Sequence, residues 1–213
     1  MNKFIEVPAN ANSISSRRLV YGVGINDADY VVTSAVNGRR VICPFYKKWA
    51  DMLMRCYDPY ELNQLPAYRG VTICKEWLTF SNFKAWMIKR KWEGLEIDKD
   101  IISPGNKVYS PENCCFVPKA LNGLLNDHGR ARGEWPRGVT CNAWHNNTFR
   151  ARCWTLEGKR KSLGCFKTPK EAAQAYRVFK YFLVREIAVE QVCPELRCGL
   201  MKHAGLILRG VEL

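Results

Sequence analysis

Between Thr148 and Thr155 the chain alternates: Phe149, Ala151 and Cys153 hold one set of positions, and Arg150, Arg152 and Trp154 hold the other. Successive side chains of an extended strand point to opposite faces, so this segment is apolar on one side and basic and aromatic on the other. Its apolar side needs a cover. Three strand-like runs, 138–143, 148–155 and 159–166, are separated by His145-Asn146-Asn147 and Glu157-Gly158. Polar and glycine-containing turns of this kind suit antiparallel hairpins. After them, Thr168 can cap a helix with Pro169 at its first position. That helix is expected to run to about Val184, with Ala172, Ala173, Ala175, Tyr176, Phe179 and Phe182 on its apolar face. The expectation is a three-stranded antiparallel sheet packed on one helix.

Charge selects the partner class. The 213 residues contain 33 Lys and Arg against 20 Asp and Glu, a net charge of +13. Between Gly129 and Val184 alone there are twelve Lys or Arg and three Glu, a net +9. Such a surface repels itself and attracts polyanions. A charged strand face can be merely solvated, but Lys159-Arg160-Lys161 in the next run adds weight to a nucleic-acid partner. No apolar run approaches the roughly 18 residues of a membrane span, and no basic amphipathic helix stands alone. The N-terminal stretch has neither a continuous apolar segment nor a small-residue cleavage site, so a location in the cytoplasm or nucleoid is expected. Neither a Walker loop nor a GxGxxG pattern nor a Ser-His-Asp order occurs, which leaves nucleotide-driven and acyl-transfer chemistry without support.

The remaining chain divides by composition. Residues 1–40 read as an N-terminal arm with a strand or hairpin near Tyr30-Val31-Val32. From Pro44, the spacing of Phe45, Trp49, Met52, Leu53 and Cys56 predicts a helix ending before Asp58-Pro59. A short strand at 71–74 and a helix over 81–90 capped by Ser81 follow. Residues 95–126 read as strand, turn, short strand and helix, a ββα unit. The Gly-, Arg- and Pro-rich stretch 129–138 is the best linker, giving a middle domain over 41–128 and a C-terminal domain with an extension over 129–213.

Several residues carry resemblances to known families. Arg137-Gly-Val139, Trp144, Phe149-Arg-Ala-Arg152, Gly158-Lys159 and Leu163–Tyr176 (LGCFKTPKEAAQAY) together resemble the APETALA-type domain of plant ethylene-response factors, which also occurs in phage endonucleases. The resemblance covers about 50 residues. It implies a sheet laid in the major groove of double-stranded DNA, with Arg137, Trp144, Arg150, Arg152, Trp154 and Lys161 as contacts. Lys159 and Arg160 join them on charge.

The segment around Asp98, Lys99, Asp100, Gly105, Asn106, Asn113 and Asn122 resembles a His-Asn-His (HNH) nuclease unit. Flanking text at Trp49–Tyr57, Tyr68–Val71, Cys74–Trp77 and Ser110–Cys114 is similar to phage HNH-like proteins, so this resemblance spans roughly 43–126. It implies one Mg²⁺ or Mn²⁺ held by Asp98 and Asn122, with Asn113 at the loop position. The histidine expected to activate water is replaced by Lys99. A lysine beside Asp98 and Asp100 favours its charged form, which suits a phosphate clamp better than a general base.

The ten cysteines, in a chain without an export signal, read as buried thiols or as ligands. No C-x-x-C pair is present. A zinc set of Cys43, Cys56, Cys74 and Cys114 is the alternative to buried thiols, and Cys193, Cys198 and His203 form a weaker one. The whole chain is expected to be α+β, an HNH-like ββα unit with surrounding helices followed by the sheet and its helix. The expected function is sequence-directed double-stranded DNA binding with metal-dependent cleavage or nicking, as in phage homing endonucleases. The alternative is a catalytically inactive, HNH-derived DNA-binding or regulatory protein.

Overall fold

A computed structural model describes residues 4–36, 38–126, 134–142 and 148–211. Along the chain the elements are α1 (Ala11–Ser15), β1 (Thr33–Val36), β2 (Arg39–Ile42), α2 (Pro44–Tyr57), α3 (Pro59–Gln64), β3 (Thr72–Ile73), α4 (Phe80–Met87), β4 (Glu96–Asp98), β5 (Val108–Tyr109), β6 (Cys115–Val117) and α5 (Lys119–Leu125). They continue with β7 (Val139–Asn142), β8 (Thr148–Trp154), β9 (Arg160–Phe166), α6 (Pro169–Val189) and α7 (Pro194–Arg209). The chain is α+β and forms two compact units, Met1–Glu93 with Lys107–Phe116, and Gly94–Asn106 with Val117–Leu213.

The first unit is built on α2 and α4. Their apolar stripes bury Trp49, Met52, Leu53 and Cys56 from one helix and Phe80, Phe83, Trp86 and Met87 from the other. Trp77 joins them with its ring 4.5 Å from that of Trp86, and the Trp49 indole N–H donates to the Trp77 carbonyl at 2.6 Å. The predicted boundaries of α2 hold, because Pro44 opens the helix and Asp58-Pro59 cannot continue it. Instead of Ser81, Thr79 is the N-cap of α4, and the Ser81 amide donates to Asp27 at 2.9 Å.

The first forty residues do not form a separate arm. Arg17 donates to the carbonyls of Asn26, Ala28 and Tyr30 at 2.6–3.0 Å, which fixes the loop that brings Ala28 and Tyr30 into the core. Gly24 lies so close to α2 that a Cβ there would sit 2.5 Å from Leu53 and 2.9 Å from Trp49. A hairpin of β1 and β2 leads into α2, and β3 pairs in parallel with β5.

The second unit holds the three-stranded antiparallel sheet, ordered β7-β8-β9, packed on α6. All three strands lie within a residue or two of their expected ends. Ala151, Val139, Ala172 and Ala173 form the centre of its core, with Phe149, Leu163 and Phe166 against them. A capping box starts α6: Thr168 Oγ1 accepts from the Glu171 amide, and Glu171 accepts from the Thr168 amide, both at 3.2 Å. This helix runs five residues beyond Val184, to Val189.

After it comes α7, in the stretch expected only as an extension, with Pro194 in its first turn and Gly210 left-handed (φ 74°) at its C-terminal end. Gly199 presses so closely on the chain at Ile101 that a Cβ would meet the Ile101 carbonyl oxygen at 2.2 Å. This close approach ties Gly94–Asn106 to the C-terminal helices, so the division differs from the expected boundary at 129. The expected linker lies partly outside the described residues.

Candidate nucleic-acid interface

The sheet presents two unlike faces. Ala151 and Cys153 are buried toward α6, whereas Arg150 and Arg152 are half-exposed on the opposite side and Trp154 is 53 % exposed. Pairing extends this open face across the strands: Thr140 and Cys165 flank Arg150, Ser162 lies opposite Arg152, and Arg160 lies opposite Trp154. The Arg160 guanidinium stands 5.1 Å from the Trp154 ring centroid, a cation–π contact that holds both side chains outward. Arg152 donates to Thr140 Oγ1 at 3.3 Å, and its Nε is buried with no partner among the described residues. No Asp or Glu occurs in β7, β8 or β9.

A bulge between Ala151 and Arg152 leaves Leu163 between paired residues, so Gly164 pairs with Ala151 and Ser162 with Arg152. Gly164 has φ 120°, a backbone that side chains rarely adopt. Beyond the bulge, Lys161 pairs with Cys153 on the helix side, and its ammonium stands 4.8 Å from the Phe179 ring of α6. Lys161 and Arg160, adjacent in sequence, therefore serve opposite faces. Lys159 is exposed in the turn before β9, and Trp144 lies outside the described residues.

Arg137 is turned to another task. Its Nη2 donates to the Asn126 carbonyl at 2.6 Å and the Leu124 carbonyl at 3.4 Å, at the C-terminal end of α5, where helix carbonyls are unpaired. Lys180, only 3 % exposed, donates to the same Leu124 carbonyl and to Tyr176. Burial first, and the Arg137 charge second, pull its ammonium down to about 8. A crevice of about 290 Å³ is lined by Arg137, Arg152, Trp154, Arg160 and Lys180, with no carboxylate of the described residues on its walls.

The expected cutting residues are placed differently. Asp98 and Lys99 are each 7 % exposed. Asp98 Oδ1 accepts from the amides of Asp100 and Ile101 at 2.7 and 2.8 Å, closing an Asx turn. Burial pushes the Asp98 carboxyl up, against the lowering effect of those two N–H groups. Lys99 forms an ion pair with Asp100 at 2.6 Å and donates to the Asn106 carbonyl at 3.2 Å. Asn122 donates to Glu96 at 3.0 Å, and its oxygen accepts from Asn126 at 2.9 Å. Asn113 belongs to the first unit and donates to Ser110 Oγ at 3.1 Å.

Hydrogen bonds within the protein thus already engage Asp98 Oδ1 and the Asn122 oxygen, the two groups expected to hold a divalent ion. Among the described residues no three His, Cys, Asp or Glu side chains gather as a metal set. Cys43, Cys56, Cys74 and Cys114 are among the described residues. All ten cysteines are free thiols, and Cys43 Sγ lies 3.4 Å from the Tyr30 hydroxyl. No helix among the described residues is long and apolar enough to cross a membrane.

No protein-family model matches the chain, and comparison with curated proteins and with solved structures yields no match.

Two residues have contacts here that sequence reasoning did not point to. His203 of α7 reaches the turn after β4, with Nε2 3.0 Å from the Asp100 carbonyl oxygen. A carbonyl only accepts, so that nitrogen carries the proton, and burial keeps the imidazole neutral by lowering its pKa. Nothing in the local sequence around His203 points to a partner 103 residues away. Lys180 did leave a signal, since it falls in the buried stripe Tyr176, Lys180, Val184 at four-residue spacing.

Proposed function

We propose that the protein binds double-stranded DNA through the open face of β7-β8-β9, with Arg150, Arg152, Trp154 and Arg160 as its contacts, and that it does so without cutting. The carrying observation is the separation of faces: Ala151 and Cys153 are buried against α6, while two arginines, a tryptophan and a third arginine share a surface without acidic residues. Arginine forks suit guanine edges and phosphates, and each bidentate base contact contributes about 1–3 kcal/mol of discrimination. The resemblance to the APETALA-type domain supports the same use of this sheet. The reading without cutting, in which the HNH-like segment is a retained scaffold, is supported by the burial of Asp98 and Lys99 and by the packing of Gly199 and His203 on that turn.

Two neighbouring positions test the interface. Arg160→Ala is expected to weaken binding to duplex DNA by about 1 kcal/mol or more, as a lost phosphate or base contact does, whereas Lys161→Ala changes it little. Equal losses in an anisotropy titration would sink the face assignment. A plasmid assay tests the absence of cutting: supercoiled DNA should stay intact with Mg²⁺ or Mn²⁺ as it does with EDTA. Metal-dependent nicking that disappears in Asp98→Ala would establish the nuclease reading instead.

A further inference from the structure

Helices α6 and α7, with Pro136 and Arg137, line a half-open cavity of about 100 Å³. This is several times the ~30 Å³ share of one water. Its ionisable lining is Arg137, Arg177, Lys180, His203 and Tyr176, and among the described residues no Asp or Glu lines it. Arg177 donates from Nη2 to Gln174 at 2.6 Å, while its Nε is buried with no hydrogen-bond partner among the described residues. Among the described residues Arg137 donates to the Leu124 and Asn126 carbonyls, and Lys180 to the Leu124 carbonyl and the Tyr176 hydroxyl. A buried cation without a counter-charge, as Lys180 is here, is costly, and the orphaned Arg177 Nε–H adds to that cost. Leu206, Ile207 and Val211 supply apolar wall in the same cavity.

We infer that this cavity binds a short-chain organic acid, its carboxylate at Arg177, Arg137 and Lys180 and its hydrocarbon tail against Leu206, Ile207 and Val211. A carboxylate matches the planar donor fork of arginine. The apolar wall favours a tail-bearing monoanion over phosphate, whose charge is greater and which has no carbon to bury. His203 contributes no further charge: burial holds it neutral, against the opposing pull of the Asp100 carbonyl and the nearby carboxylates. Lys180 is faced by Arg137, Tyr176 and Cys153, so an anion beside it supplies the opposite charge that these groups lack at neutral pH. Binding should then weaken as pH rises above about 8, where the Lys180 ammonium is lost.

The test is titration of the full chain with butyrate, with phosphate and chloride at matched ionic strength as comparisons, read by calorimetry and by the shift in Tm. Butyrate is expected to bind and to raise Tm more than either comparison does, equally in wild type and in Arg150→Met. Arg177→Met should weaken butyrate binding about tenfold or more. Arg177→Lys retains the charge without the fork and should fall between them, which keeps the test decisive if the methionine variant folds poorly. A butyrate effect no larger than that of chloride, a stronger effect of phosphate, or butyrate binding unchanged in Arg177→Lys would each overturn the proposal.

Discussion

The affinity of the full chain for duplex DNA is expected to fall roughly 150-fold when salt concentration rises fourfold, if four cations of the open face each displace a counterion with a slope near −0.9. The four are Arg150, Arg152 and Arg160, on strands without a carboxylate, and Lys159 in the turn beside them. Contacts to bases carry less of this dependence than contacts to phosphates, so the slope also apportions the face. In anisotropy titrations across a salt series, Lys159→Ala should reduce the slope by about one. Arg152→Ala should cost affinity on a preferred sequence more than on random DNA. Affinity that is flat in salt would remove the polyanion from this surface altogether.

Such a prediction needs only the sheet, and the sheet was the most readable part of the sequence. Its strands are specified by period-two alternation and glycine-containing turns, and α6 by a capping box four residues long; both are local signals that tertiary context had no reason to override. The same periodicity bears on Lys161. Leu163 faces the core, so Lys161, two residues away, belongs on the core side, and grouping it with Arg160 as a single basic patch set period two aside.

What remained hidden depends on contacts between distant segments. The turn at Asp98–Asp100 resembles part of an HNH unit in sequence, but nothing there announces that α7 lies over it, with Gly199 small enough to meet the Ile101 backbone and His203 reaching the Asp100 carbonyl. Helix α7 itself was foreshadowed by Pro194 and Gly210, a proline at the start and a glycine at the end of an apolar-periodic stretch. The first forty residues lack strong periodicity because they are held by Arg17 and by a glycine against α2, neither of which leaves a pattern in sequence.

Lys180→Met is expected to stabilise the protein at neutral pH and to change its response to alkali. In the folded chain the Lys180 ammonium titrates near 8, against 10.5 when unfolded, because burial and the Arg137 charge oppose its charged form. Below about pH 8 the lysine is charged in both states, and the folded state bears the full penalty. Between 8 and 10.5 the unfolded chain holds more protons than the folded one, so this group's contribution to stability rises with pH and levels off above 10.5. The gap corresponds to about 3 kcal/mol at most, and the hydrogen bond to the Leu124 carbonyl, worth about 1 kcal/mol, is lost in the variant. Net stabilisation of about 2 kcal/mol is therefore expected below pH 8, shrinking and then reversing as pH climbs toward 10.5. Tyr30 and Tyr109, whose protons are held more tightly by burial, lower stability in alkali in both proteins, so the difference between the two curves reads Lys180 together with Cys153, the thiol its charge pulls down. Denaturant melts of wild type and Lys180→Met at a series of pH values measure it. Parallel curves would show that Lys180 keeps its ordinary basicity, and that the Leu124 carbonyl and water compensate its charge in the folded state.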